Sequence, residues 1–196
     1  MKNWVKLLGL GVLVVFFLAS CSKPTTEMDA AKAAVEAAIN EGADIYANQE
    51  LETLQADLTA AMDTVEAKSK KFFKSYGDAK EMLAAVATKA GELKASIPAK
   101  KEEAKNAAMA ALDAATAAVE EAKMLLADAP KGKGTKADIE AFTSDLQGLE
   151  AMMPEVQAKI DSEDFFGASE SATVIKEKAA GISEQIKLAM EKIKKR

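Results

Sequence analysis

Residues 139–160 read IEAFTSDLQGLEAMMPEVQAKI. Ile139, Phe142, Leu146, Leu149, Met153, Val156 and Ile160 recur at alternating steps of three and four. That spacing gathers apolar side chains on one face of an α-helix and leaves the charged residues on the other. The stripe runs on past Pro154, so the proline predicts a kink and not an end. Sustained alternation of this kind favours shallow, near-parallel packing of helix against helix.

The same signature recurs elsewhere. Ile175, Ala179, Ile182, Ile186, Ala189 and Ile193 form a second stripe; Ala108, Leu112, Ala115, Val119, Ala122, Leu126 and Ala129 form a third. Ala, Glu and Lys dominate, aromatic and β-branched residues are few, and no window alternates as a strand would. Turn chemistry sets the breaks: Gly42 and Asn48, Tyr76-Gly77-Asp78, Ser96-Ile97-Pro98, which ends a helix or kinks it, and the Pro130–Gly134 segment with its proline and glycines. Asp161-Ser162-Glu163-Asp164 reads as a helix N-cap region. The expectation is an all-α, elongated antiparallel bundle of six helices, near 27–44, 49–75, 78–96, 99–128, 136–161 and 164–194.

The halves resemble each other. AKAAVEAA from Ala31 parallels ATAAVEEA from Ala115, and LETLQADL from Leu51 parallels IEAFTSDL from Ile139. Met62 and Val65 align with Met153 and Val156, Phe72-Phe73 with Phe165-Phe166, and the segment from Val86 with that from Ile175. The offset drifts from 84 through 88, 91 and 93 to 89. Five matches in one order predict two repeated three-helix units, at 27–98 and 99–196. The Phe pairs are expected to be core at equivalent helix junctions.

The N-terminus carries a different signal. Lys2 and Lys6 precede an unbroken apolar and glycine run from Leu7 to Leu18, followed by Leu18-Ala19-Ser20-Cys21. The run suits the core of a secretion signal and is too short to span a bilayer as a helix. Leu-Ala-Ser-Cys resembles the lipobox of bacterial lipoproteins. The resemblance implies cleavage between Ser20 and Cys21 and attachment of lipid to the Cys21 thiol. Residues 1–20 are then the signal peptide and 21–26 a lipidated tether. Ser22 stands where an aspartate would mark inner-membrane retention, which by the sorting preference of enteric-type Gram-negative bacteria resembles an outer-membrane destination facing the periplasm.

Composition excludes several function classes. Loss of Lys2 and Lys6 takes the formal charge from −5 to −7, unsuited to nucleic acid. The chain has no histidine and only one cysteine. A Ser-His-Asp triad, a Cys-His dyad, a typical zinc site and an intrachain disulfide are therefore all ruled out. No catalytic residue, metal ligand or cofactor is expected.

The Ala-rich helices, the YANQEL segment at residues 46–51 and the Gly77-Asp78 turn resemble a group of uncharacterised bacterial lipoproteins. That group is a domain of unknown function built on tetratricopeptide-like helical hairpins. The resemblance covers mainly residues 28–97. It implies a helical envelope protein and no catalytic residues. The second half departs from it, with Phe166-Gly167-Ala168 in place of Gly77-Asp78.

Two cationic clusters stand out on an acidic body. Lys68, Lys70, Lys71 and Lys74 surround Phe72-Phe73, and Lys131, Lys133 and Lys136 follow Pro130. Both are candidate contacts for lipid headgroups, cell wall or an anionic protein. Against this, lysines also complement the negative end of a helix. The second cluster lacks the residue order of a phosphate-binding loop, and spacing from Asp161 lands on Ala172 where a calcium loop needs Glu. The functional expectation is a membrane-anchored, non-catalytic helical scaffold or interaction module. Its partners would be membrane lipid through Cys21 and an envelope protein or the cell wall. The rival expectations are a self-associating coiled-coil spacer, a small-ligand carrier and a carboxylate-based enzyme.

Overall fold

The computed structural model describes residues 22–130 and 136–194. Among them the regular structure is all helix: α1 (Thr25–Asn40), α2 (Ala43–Tyr46), α3 (Asn48–Ser69), α4 (Gly77–Ala127), α5 (Lys136–Asp161) and α6 (Phe165–Lys194). The chain divides into two compact units, residues 1–100 and 101–196, with the division inside α4.

Pro98 does not separate two helices, as its place between 78–96 and 99–128 suggested; α4 continues through it. Proline removes one backbone hydrogen bond and crowds the preceding turn. Local packing opposes that loss. Ile97 is buried beside Gly42; the flanking Lys94–Glu41 and Lys100–Glu50 pairs are largely exposed and add little. Pro154 likewise lies within a continuous α5.

Ion pairs fix helix directions in unit 1. Glu27 of α1 meets Lys80 of α4 at 2.8 Å, and Glu41 meets Lys94, so α1 and α4 run parallel. From α3, Glu50, Asp57 and Lys68 meet Lys100, Lys89 and Asp78 in descending order, so α3 runs antiparallel to α4. Within unit 2, Lys101 pairs with Glu163 and Lys123 with Glu150 at 2.7 Å, which sets α5 antiparallel to the second part of α4. Lys159 of α5 donates to Ser171 of α6 across the hairpin that joins them.

The stripes face the interiors. Leu146, Leu149, Val156 and Ile160 are buried, as are Ile175, Ala179, Ile182 and Ile186. Phe142 and Met153 are half-buried. Buried positions also repeat between units. Ala31, Val35 and Ala38 correspond to Ala115, Val119 and Ala122 at an offset of 84. Leu51, Leu54, Ala61 and Val65 correspond to Leu146, Leu149, Val156 and Ile160 at 95. Tyr76, Ala79, Leu83, Val86, Ala90, Leu93 and Ile97 correspond to Phe165, Ala168, Ala172, Ile175, Ala179, Ile182 and Ile186 at 89.

This register corrects the sequence alignment. For α3 and α5 the burial offset is 95, where letter matching suggested 88 and 91. Identical letters in Ala-rich sequence come cheaply, whereas burial follows the face a helix presents. The Phe pairs are not equivalent. Phe72 and Phe73 are 93% and 87% exposed, while Phe165 is buried and matches Tyr76. Helix α3 ends at Ser69, before the pair.

Two connections differ in length. Val65 and Tyr76 are 11 positions apart, against 5 between Ile160 and Phe165. Ala38 and Leu51 are 13 apart, against 24 between Ala122 and Leu146. Unit 1 therefore carries six extra residues after its second long helix. Unit 2 carries eleven extra after its first.

Candidate functional site

The α3–α4 connection of unit 1 holds the first lysine cluster. Lys70 closes α3, and residues 71–76 form an irregular turn into α4. A chain leaving a helix offers unpaired carbonyls and a negative dipole end, which favours cations there.

The four lysines do not act alike. Lys68 is largely covered and donates to Asp78 Oδ2 at 2.8 Å, tying the end of α3 to the start of α4. The Asp78 carboxyl is held below the usual carboxylate range, first by that hydrogen bond and then by the charge of Lys68, with Lys71 adding to it. Lys70 pairs with Glu66 at 2.7 Å one turn back, lowering the Glu66 carboxyl and raising its own ammonium. Lys71 and Lys74 are exposed. Lys68 is thus a structural strut, and Lys70, Lys71 and Lys74 form the outward-facing cationic rim.

Between the lysines sits an aromatic pair that the sequence suggested as core. The Phe72 and Phe73 rings meet edge to face, centroids 5.2 Å apart at 85°, and both project outward. A signal for this exists in the sequence. Neither Phe has an apolar partner three or four residues back: those positions are Lys68, Ser69 and Lys70. A residue without such companions continues no stripe.

Of the second cluster, Lys131 and Lys133 lie outside the described residues, as do Ser20 and Cys21. Lys136 opens α5 and approaches Glu140 at 3.8 Å, with both side chains exposed. Such a pair contributes little.

Unit 2 has surface grooves. One of about 560 Å³ between α5 and α6 is lined by Asp145, Gly148, Leu149, Lys178, Gly181 and Ile182, among others. Asp145 and Lys178 are its only charged lining residues. A second groove of about 470 Å³, between α4 and α5, is lined by Asp113, Glu120 and Glu150, among others, the last two both paired with Lys123. Among the described residues no three acids gather as a metal site would require, and Ser183 is the one buried polar side chain. No helix of the described residues is long and apolar enough to cross a membrane.

No protein family, characterised protein or solved structure matches this chain.

Proposed function

We propose that this chain is a lipid-anchored protein of the bacterial envelope. Its helical body acts as a non-catalytic scaffold or interaction module, held by Cys21 to the periplasmic face of the outer membrane. The observation that carries the reading is Leu18-Ala19-Ser20-Cys21 directly behind a short apolar run with two lysines in front. Small residues suit a protease cleft, and a thiol at the new N-terminus accepts a diacylglycerol. The resemblance to Ala-rich helical lipoproteins supports the same reading. So do the interiors, built of aliphatic side chains and alanine, because such interiors hold helices together and offer no converging polar groups to a substrate.

Processing tests it. The Cys21→Ser chain cannot form the thioether, so it accumulates as precursor and takes up no labelled lipid. Maturation and membrane retention of Cys21→Ser equal to the parent's would overturn the reading. Crosslinking in intact cells followed by recovery of the lipidated chain identifies the envelope component it holds.

A further inference from the structure

The six extra residues of unit 1 build a surface that unit 1 itself does not use. Burying a Phe side chain stabilises a fold, yet Phe72 and Phe73 stand almost fully in solvent side by side. Lys70, Lys71 and Lys74 flank them, also exposed. Adjacent aromatics ringed by lysines match the chemistry of a bilayer interface, where rings sit at the headgroup boundary and ammonium groups meet lipid phosphates.

A second observation says which surface is within reach. The Glu27–Lys80 pair joins the first turn of α1 to the first turn of α4. Lys23 lies close enough for its charge to lower the Glu66 carboxyl. Pro24 is buried and its carbonyl accepts from Met28, so the chain is fixed where it joins the helices. The start of α1, the end of α3 and the 70–75 turn therefore share one end of unit 1. Ile45 and the Glu50–Lys100 pair mark the other end. Cys21 precedes Pro24 by three residues, which span roughly 10 Å at full extension. A lipid on Cys21 thus holds a bilayer surface close to the turn. Of the acids at this end, Glu27, Glu66 and Asp78 are each paired with a lysine, while Asp29 and Glu81 are exposed.

We propose that the Lys70-Lys71-Phe72-Phe73-Lys74 turn is a second membrane contact. Its two rings enter the headgroup region, and its lysines meet the anionic lipids, of the same bilayer that carries the Cys21 lipid. The bilayer's position rests on the lipoprotein reading above; the turn's own affinity for lipid does not. Two contacts at one end fix how unit 1 stands on the membrane, which a flexible tether alone leaves open.

A single fluorophore tests this. Trp4 is the only tryptophan and lies before Cys21, so cleavage removes it. Phe73→Trp then reports from the turn, and Ile45→Trp, at an exposed site, reports from the far end of unit 1. Each mature lipidated protein is placed in vesicles of phosphatidylethanolamine and phosphatidylglycerol, with and without brominated acyl chains. The Phe73→Trp indole is expected to shift to the blue and be quenched by bromolipid, and the Ile45→Trp indole to do neither. Equal, water-like emission from both in floated vesicles overturns the contact and leaves the lipoprotein reading standing.

If mass measurement finds no lipid on the purified chain, the lipoprotein reading fails instead. The mature sequence produced without its signal is then mixed with the same vesicles. Quenching of its Phe73→Trp indole upholds the contact, and no quenching overturns it. In that unlipidated chain, Phe72→Ser with Phe73→Ser lowers the vesicle-bound fraction about tenfold or more. Reversal of Lys70, Lys71 and Lys74 to Glu removes the preference for phosphatidylglycerol. All five side chains are exposed, so helix content measured alongside stays at the parent level. Unchanged vesicle binding by both variants overturns the contact.

Discussion

Tyr76 and Phe165 hold the same place in their units. Each is a buried aromatic at the start of a helix, and from each the buried residues follow at steps of 3, 4, 3, 4, 3 and 4. Each caps its hairpin's core where two helices diverge. Removing either ring leaves a cavity in the core of its unit. Phe165→Ala is expected to cost about 3–5 kcal/mol in urea unfolding, with Tyr76→Ala comparable. Phe166, half exposed one residue on, costs less than about 1 kcal/mol when cut to Ala. Equal effects at 165 and 166 would refute the assignment.

Leu51 and Leu146 are likewise equivalent, at an offset of 95. Both are nearly fully buried, so each Leu→Ala substitution is expected to destabilise by about 2–5 kcal/mol. Leu188→Ala, at a site 52% exposed, stays within about 0.5 kcal/mol. Thermal melts of the three variants check the register. A mild Leu146→Ala beside a costly Leu51→Ala would overturn the equivalence.

The end of α5 is closed by backbone geometry. Glu163 has φ 65°, the one positive φ at a non-glycine residue among those described. Its N–H bonds the Ile160 carbonyl, and the Asp164 N–H bonds that of Lys159, the pattern of a left-handed helix cap. Glu163→Gly and Glu163→Ala both lose the Lys101 ion pair, so their difference isolates the backbone. The Gly protein is expected to be the more stable by about 1 kcal/mol. A more stable Ala protein would show that residue 163 is not left-handed.

Asp164 opens α6 by accepting the Gly167 N–H at 3.1 Å. A Cβ at 167 would meet the Asp164 carboxylate, which must shift to admit one. Asp164→Ala is expected to cost about 1 kcal/mol, and Gly167→Ala to destabilise by displacing the same carboxylate. If Gly167→Ala costs nothing extra in the Asp164→Ala background, their coupling is confirmed; full additivity in the double-mutant cycle counts against it.

Acid should weaken unit 1. Glu27, Glu50, Glu66 and Asp78 are lowered chiefly by hydrogen bonds from Lys80, Lys100, Lys70 and Lys68. A carboxyl depressed in the folded state contributes stability that is complete above its unfolded pKa, about 4. That contribution is lost as pH falls through the folded value. The midpoint of urea unfolding is therefore expected to be level from neutral pH to about 5 and to drop below about 4. Because Glu50, Glu66 and Asp78 are exposed and Glu27 partly so, the drop is shallow and smaller in high salt. Replacing Lys68, Lys80 and Lys100 by Gln should flatten it, and an unchanged acid limb would exclude these pairs as its source.

The sequence by itself determined the helical class, the apolar faces of α5 and α6, the break at Gly42 and the end of α5 near Asp161. Each is written locally, as a three-and-four step or a turn residue within a few positions. The pairing of Cys21 with a preceding apolar run is equally local. Whether Pro98 ends a helix was not local: it depended on Ile97 packing inward beside Gly42, which is distant in sequence. The fate of Phe72 and Phe73 was of the same kind. An aromatic pair in the last turn of a helix read as 49–75 is expected to be core, but the helix ends at Ser69 and the hairpin closes over Tyr76, leaving the pair outside with Lys70, Lys71 and Lys74. That closure was a choice between nearby aromatics, made by the register in which α3 packs on α4, and only tertiary structure makes it.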